Sequence, residues 1–243
     1  MIEVKNVSFM YERGNKEVLS NINFKIDNNE SVGIIGANGA GKSTILKLLV
    51  GSELQYQGEI NINDLKVEKK NLAEIRQKIG YVFQDSEAQL FMPTIYEDVA
   101  FAPRNYGLSE QEIQERTLEA LKSVGIENLK DKQIYRLSGG QKKLASIATV
   151  LSMKPDILIF DEPTVALDPK NRRRFIDVLN SLKSTKIVTS HDLDLIYDSC
   201  ERTILISEGK IVKDGLTKEI LSDKELLEKN NLELPLSLTR RDI

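Results

Sequence analysis

Within the run Gly36-Ala37-Asn38-Gly39-Ala40-Gly41-Lys42-Ser43-Thr44, the first eight residues fit the spacing G-x-x-x-x-G-K-[ST]. Glycines so spaced let a backbone curl until its N–H groups surround phosphate oxygens. Lys42 would reach the β- and γ-phosphates, and the Ser43 hydroxyl would bind Mg²⁺. A helix opening near Gly41 would add its positive end. An ordinary Gly-rich turn shares the short pattern. Here, however, the apolar run "SVGIIG" (31–36) leads into it and the helical run "GKSTILKLLVG" leads out, with Gly51 as the stop.

Other reactive types stand at the ends of apolar runs. Asp161 closes "ILIF", where a carboxylate can hold Mg²⁺ through a water, and Glu162 follows it. Glu162 is placed to act as base, or to orient an attacking water, on a γ-phosphate. His191, the only histidine, follows "KIVTS" and can donate to a γ-phosphate oxygen. Gln84 ends "IGYVFQ", where its amide could touch Mg²⁺ or the water; a surface glutamine explains it equally. Tyr11 follows the first strand and could stack on adenine, although taken singly it reads as a core or hairpin residue. A second anion site appears in "YRLSGGQKKLAS" (135–146). A capped helix start would explain Ser138 but not two consecutive glycines, Gly139 and Gly140.

These residues need elements to hold them. Alternation marks strands at 2–8 and 22–26, and apolar runs mark 31–36, 58–62, 79–83, 156–160 and 186–190. Residues 202–207 and 210–215 read as a hairpin turning at Glu208-Gly209. Residues 94–123 turn helical, with Ser109 as a cap, and 139–152 form another helix. Residues 217–243 hold a short helical stretch and then "LELPLSLTRRDI", expected to be poorly ordered. Strands ending in Gly36, Asp161 and His191 imply a mostly parallel sheet with its ligand at the carboxyl ends.

The chain has 243 residues, 40% of them hydrophobic, enough for one large α/β domain or one with an inserted lobe. Its net charge of −3, with signs interspersed, argues against a basic nucleic-acid protein. A single cysteine, Cys200, excludes a disulfide framework and points to a reducing compartment. The start "MIEVKNVSFM" is not a signal peptide, and no apolar run reaches the ~18 residues of a membrane span.

Tyr11, "GANGAGKST", Gln84, "LSGGQ", "ILIFDEP", "ALD" and His191 occur in one order over roughly residues 1–220. In this the chain resembles ATP-binding cassette (ABC) ATPase subunits, and "LSGGQ" beside a phosphate loop is the most diagnostic pairing. The resemblance implies an α/β P-loop NTPase core with a mostly parallel sheet, an N-terminal antiparallel β subdomain and an inserted helical subdomain at roughly 85–155. Residues 221–243 would be a short tail. It implies ATP and Mg²⁺ as ligands. Tyr11, Asn38, Gly39, Ala40, Gly41, Lys42, Ser43, Thr44 and Gln84 would bind the nucleotide. Ser43, Gln84 and Asp161 would attend the metal, and Glu162, His191, Lys42 and Gln84 would serve catalysis. Such cassettes pair head to tail with a second ABC ATPase subunit, identical or paralogous. Ser138, Gly139, Gly140, Gln141 and Asp168 would then serve the partner's nucleotide. No nucleic-acid partner is expected.

Residues 82–108, "VFQDSEAQLFMPTIYEDVAFAPRNYGL", together with "DEPTVALDP" and "LSMKPDILIF", are similar to ATPases of energy-coupling-factor (ECF) transporters and of cobalt and nickel importers. There Gln89, Leu90 and Phe91 would lie near a membrane-embedded coupling subunit. A separate membrane protein would choose the vitamin or metal ion. The chain would be peripheral, at the cytoplasmic face of the membrane. An amphipathic core segment is the plainer reading of "AQLFMP". Two departures stand out: Val165 where many ABC ATPases have a small residue, and "KKLAS" after "LSGGQ", where an arginine is common. Lys142, Lys143 and the run 170–174 read as surface charges, and Cys200 as a small core or surface residue outside any metal cluster. A soluble ABC ATPase working on DNA or the ribosome, the ATPase of another ABC transporter class, and an ATP-binding module without turnover are the competing readings.

Overall fold

The computed structural model describes residues 1–12, 16–165 and 167–239. It divides into two compact units, one of Met1–Ile79 with Ser184–Ile243, the other of Gly80–Lys183. The first unit opens with β1 (Ile2–Phe9), β2 (Leu19–Ile26), β3 (Ser31–Ile35), α1 (Lys42–Leu49), β4 (Gln57–Ile62), β5 (Leu65–Lys66) and α2 (Leu72–Lys78). The second unit holds β6 (Ile79–Val82), α3 (Ile95–Asn105), α4 (Glu110–Ser123), α5 (Gly139–Leu151), β7 (Ile157–Asp161) and α6 (Pro169–Ser181). The chain then returns through β8 (Thr185–Thr189), α7 (Leu193–Ser199), β9 (Arg202–Ser207), β10 (Lys210–Leu216), α8 (Thr217–Ser222), α9 (Lys224–Lys229) and α10 (Leu236–Thr239).

In the first unit, alternation builds an antiparallel sheet in the order β2-β1-β4-β5. Register pairs Ile2 with Ile26 and Ile62, and Val4 with Phe24 and Ile60, so one apolar face lines up across three strands. β5 was not foreseen. It closes on β4 through Asn63 and Asp64, both at positive φ, a turn suited to so short a hairpin. β3 is buried throughout and lies between β8 and β9, parallel to both. The β9–β10 hairpin turns at Glu208 and Gly209, as expected, with φ of 48° and 74°. Arg202 secures its base by donating to both carboxylate oxygens of Asp214, to Glu30 and to the Lys25 carbonyl.

The run "LELPLSLTRRDI" contains more order than expected. The N–H groups of Leu236 and Ser237 donate to the Asp194 carboxylate at 3.0 Å each, which starts α10; residues 240–243 lie outside the described residues. In the second unit the helical stretch 94–123 is two helices, parted where Gly107 takes φ 71°. Thr94 with Glu97, Ser109 with Glu112 and Ser138 with Gln141 each form a capping box, and β7 lies beside β6.

Candidate functional site

The first unit presents the phosphate loop. It leaves β3 at Gly36, where a Cβ would stand 2.2 Å from the Ile206 carbonyl oxygen, so only glycine fits. Gly39 and Gly41 take φ of 77° and 109°, and Gly39 has open space where a side chain would be. Asn38, Gly39 and Ser43 are exposed, whereas Ala40, Lys42 and Thr44 are buried. The Lys42 ammonium donates to the Gly36 and Ala37 carbonyls at 2.8 and 3.3 Å. It also reaches His191 Nε2 at 3.2 Å, so β3 and β8 deliver their two chemical residues to one place. Tyr11 stands against α1: its hydroxyl is 3.2 Å from Thr44 Oγ1, and its ring meets Phe9 edge-on beside the Lys47 ammonium.

The second unit presents the carboxylates. Asp161, at the end of β7, accepts a 2.9 Å hydrogen bond from the Tyr81 hydroxyl on β6. Burial, and then the Asp161 charge, hold the Tyr81 phenol above its ordinary range, so it stays a donor. Glu162 is buried and held at φ 45°, a left-handed conformation that costs an ordinary residue ~1–2 kcal/mol. Such strain concentrates at working sites. Gln84 is exposed just past β6. A serine hydroxyl, an amide oxygen and a carboxylate are hard oxygen donors, so the chemistry of Ser43, Gln84 and Asp161 suits Mg²⁺.

Ser138 caps α5: its hydroxyl accepts from Gln141 N, and its own N–H donates to Gln141 Oε1 at 3.2 Å. Gly139 is exposed, but Gly140 is buried. A Cβ on Gly140 would meet Asn171 Cγ at 2.4 Å, so close packing accounts for this second glycine and the pair is not explained by anion binding alone. Asp168 caps α6 and fixes Asn171 through its N–H and its amide. The bond from the Asn171 N–H, foremost, holds the Asp168 carboxyl below its usual range. A cleft of about 380 Å³ is lined by Gln84, Asp85, Gly139, Lys143, Val165 and Leu167 among others. Within the "ALD" run, Ala166 lies outside the described residues.

Two residues read as surface charges behave differently. Lys142 is half-buried and pairs with the exposed Glu87. Lys143 is 2% exposed, which corrects the surface reading: its ammonium donates to the Phe83 and Gln84 carbonyls at 2.9 and 2.8 Å. Burial draws its pKa down to about 8, against the pull of Asp85 and Asp161. Of the residues assigned to a membrane partner, Gln89 turns inward onto α5, Leu90 is buried and Phe91 is 63% exposed. Among the described residues no helix is long and apolar enough to cross a membrane.

Residues 19–165 match the family described as ABC transporter. A chain of Geobacter sulfurreducens, described only at the level of an ABC transporter ATP-binding protein, is 48% identical over 98% of this chain and 95% of its own length. The energy-coupling factor transporter ATP-binding protein EcfA of Methanocaldococcus jannaschii is 42% identical over 97% of this chain and 86% of its own. Among solved structures, cbiO1 of Clostridium perfringens, part of the ABC transporter complex cbiONQ, superposes with a TM-score of 0.86 at 37% identity, covering 100% of this chain and 98% of that one. The expected fold class, a P-loop NTPase with an antiparallel N-terminal sheet and a parallel core, is therefore the observed one. With its phosphate loop on one unit and its "LSGGQ" helix on the other, the chain belongs to the ATP-binding subunits of the ABC transporter family.

Proposed function

We propose that this chain is the ATP-hydrolysing energy-coupling subunit of an ECF-type import system for a vitamin or a transition-metal ion. It pairs head to tail with a second ABC ATPase subunit, identical or paralogous. It lies at the cytoplasmic face of the membrane, held by a transmembrane coupling subunit that also carries a substrate-binding membrane protein. Whole-length likeness to EcfA and cbiO1 supports the class. Phe91 is the observation that carries the docking. It is 63% exposed at a groove of about 350 Å³ that also includes Leu90, Met92, Pro93, Ile134 and Tyr135. Tyr135 is 71% exposed. Aromatic rings left open around an apolar groove suit a partner helix with apolar anchors.

In this reading the Gly36–Thr44 backbone and Lys42 hold the phosphates, and Tyr11 attends the adenine. Ser43, Gln84 and Asp161 would hold Mg²⁺, which would supply positive charge to offset that of the phosphates. Glu162 orients or deprotonates the attacking water, and His191 donates to a γ-phosphate oxygen. Ser138, Gly139, Gly140, Gln141 and Asp168 complete the partner's site.

The test is recovery of the tagged chain from detergent-solubilised native membranes. Co-purification of a membrane coupling subunit, lost on Phe91→Asp, is the expected result. Recovery only from the soluble fraction, with ribosomes or DNA, rejects the import reading.

A further inference from the structure

Three backbone groups at the end of β6 are bonded to α5 through two side chains. Lys143 Nζ takes the Phe83 and Gln84 carbonyls. Gln89 Oε1 takes the Phe83 N–H at 3.1 Å, while its Nε2 donates to Ser146 O at 2.7 Å and to Thr149 Oγ1 at 2.9 Å. Lys143, Ser146 and Thr149 all belong to α5, the helix that Ser138 caps. A buried ammonium must be compensated, and here the compensation comes from the residues that carry and precede Gln84. An apolar side chain at position 143 would fill the same space without gripping this backbone. Gln89 adds a second grip from the loop itself, using its acceptor and its donors at once. Neither side chain has an assigned role in binding nucleotide.

We propose that Lys143 and Gln89 are positioning residues that lock the backbone at Gln84 to α5, so that Gln84 and the Ser138–Gly140 helix start move as one body. This rests on the reading that Gln84 and Ser138–Gly140 attend nucleotide. If so, a shift at the helix start is passed to Gln84 through two side chains rather than through the chain between residues 84 and 138.

The test compares the full-length wild type with K143M, K143R and Q89L. Hydrogen exchange of the Phe83 amide reads the lock without reference to activity. It is expected to be about tenfold faster in Q89L and K143M than in wild type. In steady-state ATPase assays, kcat is expected to fall about tenfold or more in both, with KM for MgATP within about twofold. K143R, whose guanidinium can span both carbonyls, is expected to recover kcat to within about threefold of wild type. Wild-type exchange and wild-type kcat in Q89L and K143M overturn the proposal. So does an equal loss in K143M and K143R, which would mark mere packing. Gln89 is only partly buried, so Q89L decides the matter should the Lys143 variants fail to fold. A wild type without ATPase activity would overturn the functional reading instead, and the exchange comparison would still decide the lock.

Discussion

Lys42 Nζ stands 3.2 Å from His191 Nε2. An ammonium has donors and no acceptor, so in this contact Nε2 is the accepting nitrogen. For His191 to donate to a phosphate oxygen through Nε2, Lys42 must release that nitrogen. A γ-phosphate that draws the Lys42 ammonium onto itself would do so. In the proposed function, the contact would thus make the histidine's availability depend on what the loop holds.

The first prediction separates the two roles. Lys42→Ala should weaken ATP binding about tenfold or more and lower kcat at least about a hundredfold. His191→Ala should keep ATP affinity within about threefold while kcat falls about a hundredfold. Titration calorimetry and steady-state kinetics read both. A His191→Ala enzyme with wild-type kcat would remove the histidine from the reaction.

Glu162 is buried and backbone-strained at the end of β7. Replacing its carboxylate by an amide keeps the shape and removes the group proposed as the base. Glu162→Gln should bind ATP as wild type does, lower kcat at least about a hundredfold and accumulate an ATP-bound dimer on size exclusion. Hydrolysis at the wild-type rate would show that Glu162 does not activate the water.

The start of α5 gives a prediction of both stability and function. Gly140→Ala should cost about 1–3 kcal/mol, because its methyl would drive into an Asn171 side chain held by Asp168. Adding Asn171→Gly should return part of that loss, and a denaturation cycle of the four proteins measures the coupling. Ser138→Arg is different. It should abolish turnover yet leave nucleotide binding to the isolated chain intact, since Ser138 is assigned to the partner's nucleotide. Loss of binding in the monomer would place "LSGGQ" in the wrong site.

What the sequence could say depended on how locally each feature is determined. The phosphate loop is one contiguous run from the end of a buried strand into the first turn of a helix, and its glycines answer to local geometry, as at Gly36 beside Ile206. Capping boxes at Thr94, Ser109 and Ser138 are likewise local, although only Ser109 and Ser138 drew attention. Lys143 was misread because its partners, Phe83 and Gln84, lie about sixty residues away, and nothing near position 143 signals a buried ammonium. Gly140 has a packing reason that the sequence did not show, because Asn171, thirty-one residues on, fills the space a Cβ would need. α2 and α7, of seven residues each, are too short for periodicity to declare. α10 is started by Asp194, far upstream, so the tail alone reads as unstructured.

Cys200 offers a pH test independent of nucleotide. Its thiol is buried, and burial, only partly offset by Ser31 and Lys186, pushes its pKa up to about 12. In the unfolded chain the thiol ionises near the ordinary value of 9.0. The folded-state pKa is thus the higher one: the folded thiol keeps its proton where the unfolded one has lost it. Its contribution to stability is fully present below pH 9 and is lost as pH rises from there towards 12. Cys200→Ala should flatten that part of the stability curve, read as wild type minus variant in urea melts between pH 8 and pH 11 to remove what other groups contribute. The same burial predicts that a maleimide reacts with the folded chain far more slowly than with the urea-unfolded chain at pH 8. Equal labelling rates in the two states would mean that this edge of the first unit opens readily, and the pH difference should then vanish as well.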